Sequence, residues 1–363
     1  MEKMKLAILC PKPPWFNEGQ AKVVKEHALR LSKKFNLEIF CCDPSGKETG
    51  IHNWNNINVH VYKGYTNSYL FSLRLFKDLK KRKFDIIHAH GFTIFMPLVA
   101  SLLKRNTKKL IFQPHYHSTG SNFWFKILRK IYDPTVGKFI ISRSDKILCN
   151  SEYEKNKLEE KYNPDKRKLQ ITYHGINLSE FKKARPFNLR TKDKKIIIYI
   201  GRLEKYKNIH LIIETIKHLK NYHLFIIGTG PYKESLQRLI NKLNLKNQIE
   251  ILENVEDKDI PKWYKTCDIF ITLSEVESFG LTVIEALASG KPVIVNYATS
   301  LAELADKFKE IIPVNAQSIS PEELAEVIKK SSNKTKTNKI NPEFKTYNWD
   351  SIIKEIVKVY DEK

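Results

Sequence analysis

Ser274-Glu275-Val276-Glu277-Ser278-Phe279-Gly280-Leu281-Thr282-Val283-Ile284-Glu285 is the stretch on which the reading of this chain turns. It follows the apolar run Ile269–Leu273, which reads as a buried strand, and Gly280 opens an apolar helix reaching Ser289. A strand passing through a glycine into a helix sets the unpaired N–H groups of the first helical turn at a strand end. Open parallel sheets bind ligands there, and the helix dipole favours an anion. Glu277 lies just before the helix and Glu285 inside it. Eight helical residues rise about 12 Å, so the two carboxylates are no close pair sharing a proton. They can serve two ends of one long ligand. Glu285 sits among Ile284, Ala286, Leu287 and Ala288, where a carboxylate needs a partner or a function.

Two further loops of the same half follow apolar strands. Lys195–Ile200 leads into Gly201-Arg202-Leu203, with Lys207 and Asn208 close behind. Gly201 permits a sharp turn. Arg202 offers a planar fork and Lys207 a point charge, a pair suited to two phosphates. His223–Ile227 leads into Gly228-Thr229-Gly230-Pro231. A Gly-x-Gly between strand and helix suits close approach of backbone to an anion. The third glycine of the dinucleotide fingerprint is missing, which disfavours a dehydrogenase. Residues 194–290 thus read as a phosphate-cradling nucleotide site.

The chain has 363 residues, more than one hydrophobic core usually serves. Strand and helix patterns alternate through both halves, the grammar of parallel sheets with helices on both faces. The first half reads as strands at Lys5–Cys10, Leu37–Cys42, Ile57–Tyr62, Ile86–His90, Lys109–Gln113, Asp145–Cys149 and Leu169–Tyr173. Ser151 and Glu154 have the spacing of a capping box. The predicted organisation is an N-terminal α/β domain over 1–185, a polar linker over 186–194, a second α/β domain over 195–345 and a closing amphipathic helix over 346–363.

The formal net charge is +23, which suits a solvated Lys-rich surface or an anionic partner. Zinc-finger spacing, an arginine-rich arm and RNA-binding aromatic signatures are missing, so nucleic acid is disfavoured. Residues 118–143 mix aromatic and basic side chains, the composition of a segment lying on an anionic membrane surface or of a core helix with solvated lysines. The most apolar window, Gly91–Leu103, is about half a bilayer span. Five scattered cysteines without a Cys-x-x-Cys pair, and no signal peptide, point to free thiols in the cytoplasm. No ligand spacing indicates a metal.

The Gly201-Arg202…Lys207-Asn208 loop, the Gly228-Thr229-Gly230-Pro231 turn and Glu277-Ser-Phe-Gly-Leu-Thr-Val-Ile-Glu285-Ala-Leu-Ala-x-Gly290-x-Pro292-Val together resemble retaining glycosyltransferases of family 4. The resemblance implies the GT-B architecture of two Rossmann-like domains facing across a cleft, with a C-terminal helix crossing back to the first. It implies a UDP- or GDP-sugar donor (GDP-mannose among them) held mostly by the C-terminal domain, and no metal or other cofactor. Arg202 and Lys207 would hold the diphosphate, Glu277 the donor sugar and Glu285 the ribose. Gly201, Gly228, Gly230 and the backbone of Phe279, Gly280, Leu281 and Thr282 would complete the site. His115, after the strand ending at Gln113, matches the family's active-site histidine. The acceptor would be a glycan or a lipid-linked sugar, and front-face attack would give retention. Gly19 keeps the first strand–helix turn of the family, but Glu18 stands where members carry glycine, and a carboxylate there would repel a phosphate. An epimerase or hydrolase on the same fold, or a non-catalytic sugar-nucleotide or nucleic-acid binding protein, are the alternatives.

Overall fold

The computed structural model describes residues 3–16, 19–65, 71–92, 95–116, 130–189, 194–332 and 342–362. They form two compact units, Met1–His174 with Trp349–Lys363, and Gly175–Asn348.

The first unit is built on eight strands: β1 Lys5–Leu9, β2 Asn36–Asp43, β3 Gly50–Trp54, β4 Ile57–Lys63, β5 Phe84–His90, β6 Thr107–Gln113, β7 Lys146–Cys149 and β8 Leu169–Ile171. Their order in the sheet is β3-β4-β2-β1-β5-β6-β7-β8. Only the β3–β4 pair is antiparallel. Strands covered on both faces read as unbroken apolar runs, and β1 shows why: successive side chains go to opposite faces. Leu6 and Ile8 join the core formed with Val24, Ala28 and Leu31 of the helix Gly19–Leu31. Ala7 and Leu9 join Leu75, Leu79, Met96 and Val99 on the other face.

The terminal helix Trp349–Asp361 belongs to this first unit, although the whole second unit separates it in sequence from β8. Trp349, Ile352 and Ile356 fill the same core as Leu6 and Ile8. Lys109 Nζ donates to the carbonyls of Val359 and Tyr360 at 2.9 and 3.0 Å, so a lysine from the sheet satisfies the last carbonyls of the helix.

The sequence reading missed β3. Its residues, Gly-Ile-His-Asn-Trp, are half polar and lie at the sheet edge. The hairpin signal was Asn55-Asn56, both at positive φ (50° and 62°), the conformation that a tight turn between antiparallel strands requires.

The second unit has six parallel strands: β9 Lys195–Ile200, β10 Tyr222–Ile227, β11 Ile249–Leu252, β12 Ile269–Thr272, β13 Val293–Asn296 and β14 Ile311–Val314. Their order is β11-β10-β9-β12-β13-β14. The chain runs outward from β9 to β11, then returns to β12 on the other side of β9. The ends of β9 and β12 therefore flank a topological switch point, where such sheets bind ligands.

Residues 175–189 belong to this unit too, so the division falls at Gly175 and not in the polar stretch 186–194. Phe181, in the short helix Leu178–Lys183, packs on Tyr264, and Phe187 packs on Trp263 at ring distances of 5.9 and 5.0 Å. Two anchored aromatics outweigh a linker-like composition.

Ile356 is fully buried in the first unit's core. Ile356→Ala is expected to destabilise that unit by about 2–5 kcal/mol, read as a lower denaturant midpoint for the unfolding of the first unit.

Candidate functional site

In the second unit, two glycine loops interlock by backbone. Gly201 N–H donates to the Ile227 carbonyl at 3.0 Å, Leu203 N–H to Thr229 at 2.8 Å and Tyr232 N–H to Leu203 at 3.0 Å. A Cβ at Gly228, where φ is 151°, would lie 1.9 Å from the Gly201 carbonyl oxygen. One at Gly230 would lie 2.4 Å from the Leu203 oxygen. These glycines are required first for the two loops to meet, a reason the Gly-x-Gly spacing did not reveal.

The loops carry paired charges. Lys207 Nζ is bonded to the Glu277 carboxylate, and Arg202 Nη2 to Glu204 at 2.7 Å. The Lys207 side chain is only 11% exposed, that of Arg202 67%. Lys207 is thus a fixed charge and Arg202 an arm that can swing. Asn208, at φ 52°, ties the first loop to the third: its Nδ2 donates to the Leu273 carbonyl at 3.1 Å and to Glu275 at 3.2 Å.

Glu277 is held by residues that the sequence reading missed. Its N–H donates to Thr299 Oγ1 and its carbonyl accepts from Ser300 Oγ, both at 3.1 Å. Thr299 has φ 53°, strained for a β-branched residue. No sequence signal marks it beyond its position at the helix start Thr299–Lys307, after β13. Gly280 stands at φ 90°, where a Cβ would meet Leu301 Cδ2 at 2.8 Å. It opens the helix Leu281–Ala288. Leu281 and Thr282 find no backbone N–H acceptor among the described residues, leaving two donors for an anion. Phe279 is buried. Glu285 is 3% exposed and accepts from Tyr264 Oη at 3.0 Å. The carboxylate in the apolar run therefore has a buried partner. Arg202, Lys207, Glu277, Glu285 and the glycines 201, 228, 230 and 280 all belong to this unit.

His115 and Gly19 belong to the first unit. His115 has φ 50°, a strain of the kind found at functional positions. Gln113 Nε2 donates to Asn150 Oδ1 at 2.8 Å, which turns the Asn150 amide nitrogen toward His115 Nδ1 at 3.1 Å. His115 Nδ1 therefore accepts, and its Nε2–H goes to His90 Nδ1 at 3.2 Å. Both ring nitrogens are engaged, so a ligand hydroxyl must displace one of these bonds. Behind His115 the imidazoles stack: His90 on His115 at 5.5 Å, His88 on His90 at 4.3 Å, and His174 on the other side of His115 at 5.3 Å. His88 Nδ1 bonds Tyr360 of the terminal helix at 2.7 Å.

Burial pushes His88 and His174 down to about 3 and holds His27 and His90 well below the usual range. One nitrogen each of His27, His88 and His90 lie within 4.8 Å of one another. They could face one cation, but no carboxylate or thiolate stands in that group to offset its charge. Glu154, at the start of the helix Glu152–Tyr162, is fully buried, and burial pushes its carboxyl up to about 8. Gly19 begins its helix exposed, with nothing within 4 Å of a Cβ built there. Glu18 lies outside the described residues. Of the aromatic–basic stretch 118–143, residues 130–143 are described, and Lys130, Ile131, Lys138, Phe139 and Arg143 form an exposed face.

Two family models match the chain: Glycosyltransferase Family 4 over residues 17–180 and Glycosyl transferases group 1 over residues 180–343. Among curated relatives, an uncharacterized 41.2 kDa protein in the cps region of Klebsiella pneumoniae is 29% identical over 64% of this chain and 65% of its own length. The alpha-monoglucosyldiacylglycerol synthase of Acholeplasma laidlawii is 26% identical over 63% of this chain and 62% of its own. The chain thus spans just under two thirds of each. Among solved structures, sucrose-phosphate synthase from Thermosynechococcus elongatus superposes with a TM-score of 0.83 at 17% identity, covering 99% of this chain and 98% of the other. Anabaena HepE in complex with UDP and glucose gives 0.79 at 18%, covering 99% of both. These neighbours share the GT-B fold.

Two outcomes test this geometry. Gly228→Ala is expected to lose more than about 3 kcal/mol of stability, seen as a lower melting temperature with loss of any anion binding by the second unit. The second concerns pH. Imidazoles kept neutral in the fold but protonated when unfolded lower stability as pH falls below about 6.5, by about 1.4 kcal/mol per unit for each. Glu154, ionised at about 4.5 unfolded and about 8 folded, lowers stability as pH rises between those values. From these groups the first unit is most stable at about pH 7, measurable as a maximum in denaturant midpoint against pH. His27→Gln should flatten the acid limb.

Proposed function

Because the chain belongs to the group 1 glycosyltransferases of the family 4 type, we propose that it transfers a sugar from a UDP- or GDP-sugar to a glycan or lipid-linked acceptor, with retention and without a metal. The observation that carries the donor half is the Lys207–Glu277 pair, set beside Arg202 and the open helix start at Leu281. Opposite charges already stand where a diphosphate and a hydroxylated sugar would separate them. The diphosphate takes Lys207, the swinging Arg202 and the N–H groups of Leu281 and Thr282. These stabilise the charge that grows on the leaving nucleoside diphosphate as the glycosidic bond breaks. Glu277, released from Lys207, accepts from sugar hydroxyls. Glu285, on the same helix as those N–H groups, is assigned to the ribose. One fixed cation, one mobile cation and a helix start supply the role that a divalent ion would otherwise fill.

Two findings favour a UDP-sugar and a lipid acceptor. One structural neighbour holds UDP and glucose, and one relative is named for a monoglucosyldiacylglycerol product. No helix among the described residues is long and apolar enough to cross a membrane. The exposed Lys130, Ile131, Lys138, Phe139 and Arg143 suit a peripheral seat on an anionic surface, with apolar burial and charge acting together. Five buried free cysteines suit the cytoplasmic side.

A thermal-shift screen of UDP-, GDP- and ADP-sugars tests the donor site. At 100 times its dissociation constant, the right donor stabilises the protein by about 2.7 kcal/mol, and added chelator leaves the shift intact. Arg202→Ala should weaken that donor about 10- to 100-fold, the loss of a hydrogen bond to a charged group. No shift with any nucleotide sugar, or an unaltered one in Arg202→Ala, sinks the reading. With the donor known, the anomeric configuration of the product by NMR decides between retention and inversion.

A further inference from the structure

Glu154 stands at the third position of its helix, where a capping-box glutamate would fold back on its own N-cap. The structure keeps half of that expectation. Ser151 Oγ accepts from Glu154 N–H at 3.1 Å, but the Glu154 carboxyl turns away from Ser151. One oxygen accepts the backbone N–H of Tyr116, the other that of Asn150. These amides lie just past the ends of β6 and β7. One is the peptide bond that leaves His115; the other belongs to the residue whose side chain faces His115 Nδ1. A single buried side chain thus fixes both neighbours of an imidazole whose own backbone is strained at φ 50°. A cap alone needs none of this.

We propose that Glu154 is a positioning residue for His115. Its carboxyl clamps the amides of Tyr116 and Asn150, holds the left-handed turn at His115, and presents the Asn150 amide that sets the His115 tautomer. Each carboxyl oxygen keeps an acceptor lone pair whether or not the group is protonated, so the clamp does not depend on its charge. An amide in its place does not do the same: its nitrogen has no lone pair to offer, and one of the two N–H groups is left facing a donor. The assignment of His115 to sugar transfer rests on the function proposed above; the clamp itself does not.

The test uses the full chain with ¹⁵N-labelled histidine. Long-range ¹H–¹⁵N spectra report the tautomer of each imidazole, and the His115 signals are identified by their loss in His115→Gln. In the wild type His115 should carry its proton on Nε2. Glu154→Gln should move or average the His115 nitrogen signals. It should lower kcat for nucleoside-diphosphate release from the donor found by thermal shift at least about 10-fold, with KM for that donor within about 2-fold. The donor-induced thermal shift should be unchanged. Glu154→Asp keeps the acid and the cap but is one methylene short of spanning both amides. It should disturb the same signals, and it decides the matter if the glutamine variant does not fold. Variants that melt lower but leave the His115 nitrogens and kcat unchanged overturn the proposal and leave Glu154 a structural cap. If no nucleotide sugar binds the wild type, the transfer reading fails while the imidazole spectra still judge the clamp.

Discussion

The second unit is organised around one ion pair, Lys207 with Glu277, held in half-buried surroundings at the ends of β9 and β12. A charge withdrawn from water needs a partner, and removing one partner does more harm than removing both. The pair therefore locks the two loops to each other. The surrounding oddities all serve that lock. Asn208 in a left-handed turn bonds the strand end of the facing loop. The strained Thr299 takes the Glu277 amide. Gly228 meets the Gly201 carbonyl through backbone because it has no side chain. A ligand of the proposed kind, with an anionic end and a hydroxylated end, would enter by exchange. It would replace each charge's partner and would not have to assemble the charges first. Such a site is set in advance for electrostatic stabilisation.

What could be read from the sequence follows from which forces leave a mark in it. The parallel strands were legible because burial on both faces turns them into apolar runs. β3 was not, because an edge strand may be polar, and its turn rests on two asparagines. The paired charges Arg202, Lys207 and Glu277 were legible as residue types at loop positions after strands. Thr299 was invisible, since its contribution is a backbone angle. For Gly228 and Gly230 the sequence suggested approach to an anion, and the structure shows them as the joint between two loops. Composition misplaced the linker because it weighs polarity along the chain, whereas the rings of Phe181 and Phe187 act through space. The helix at 349–361 was legible from its apolar period, and its buried face shows that this period marks the first unit's core.

The two units handle polar burial in opposite ways. The second pairs full charges. The first gathers four buried imidazoles, His27, His88, His90 and His174, and brings half-buried His115 into ring contact with His90 and His174. A protonated member would meet both desolvation and its neighbours' repulsion, and these are the causes that depress the His90 proton affinity. Burial thus holds His27, His88, His90 and His174 of this column neutral across the physiological range. A neutral imidazole can both donate to and accept from a hydroxyl. The terminal helix is bound into the same column through Tyr360 and His88. The last residues of the chain therefore help fix the ring that the sequence singled out, and the histidine column is a structural reason for the chain to return to its first unit.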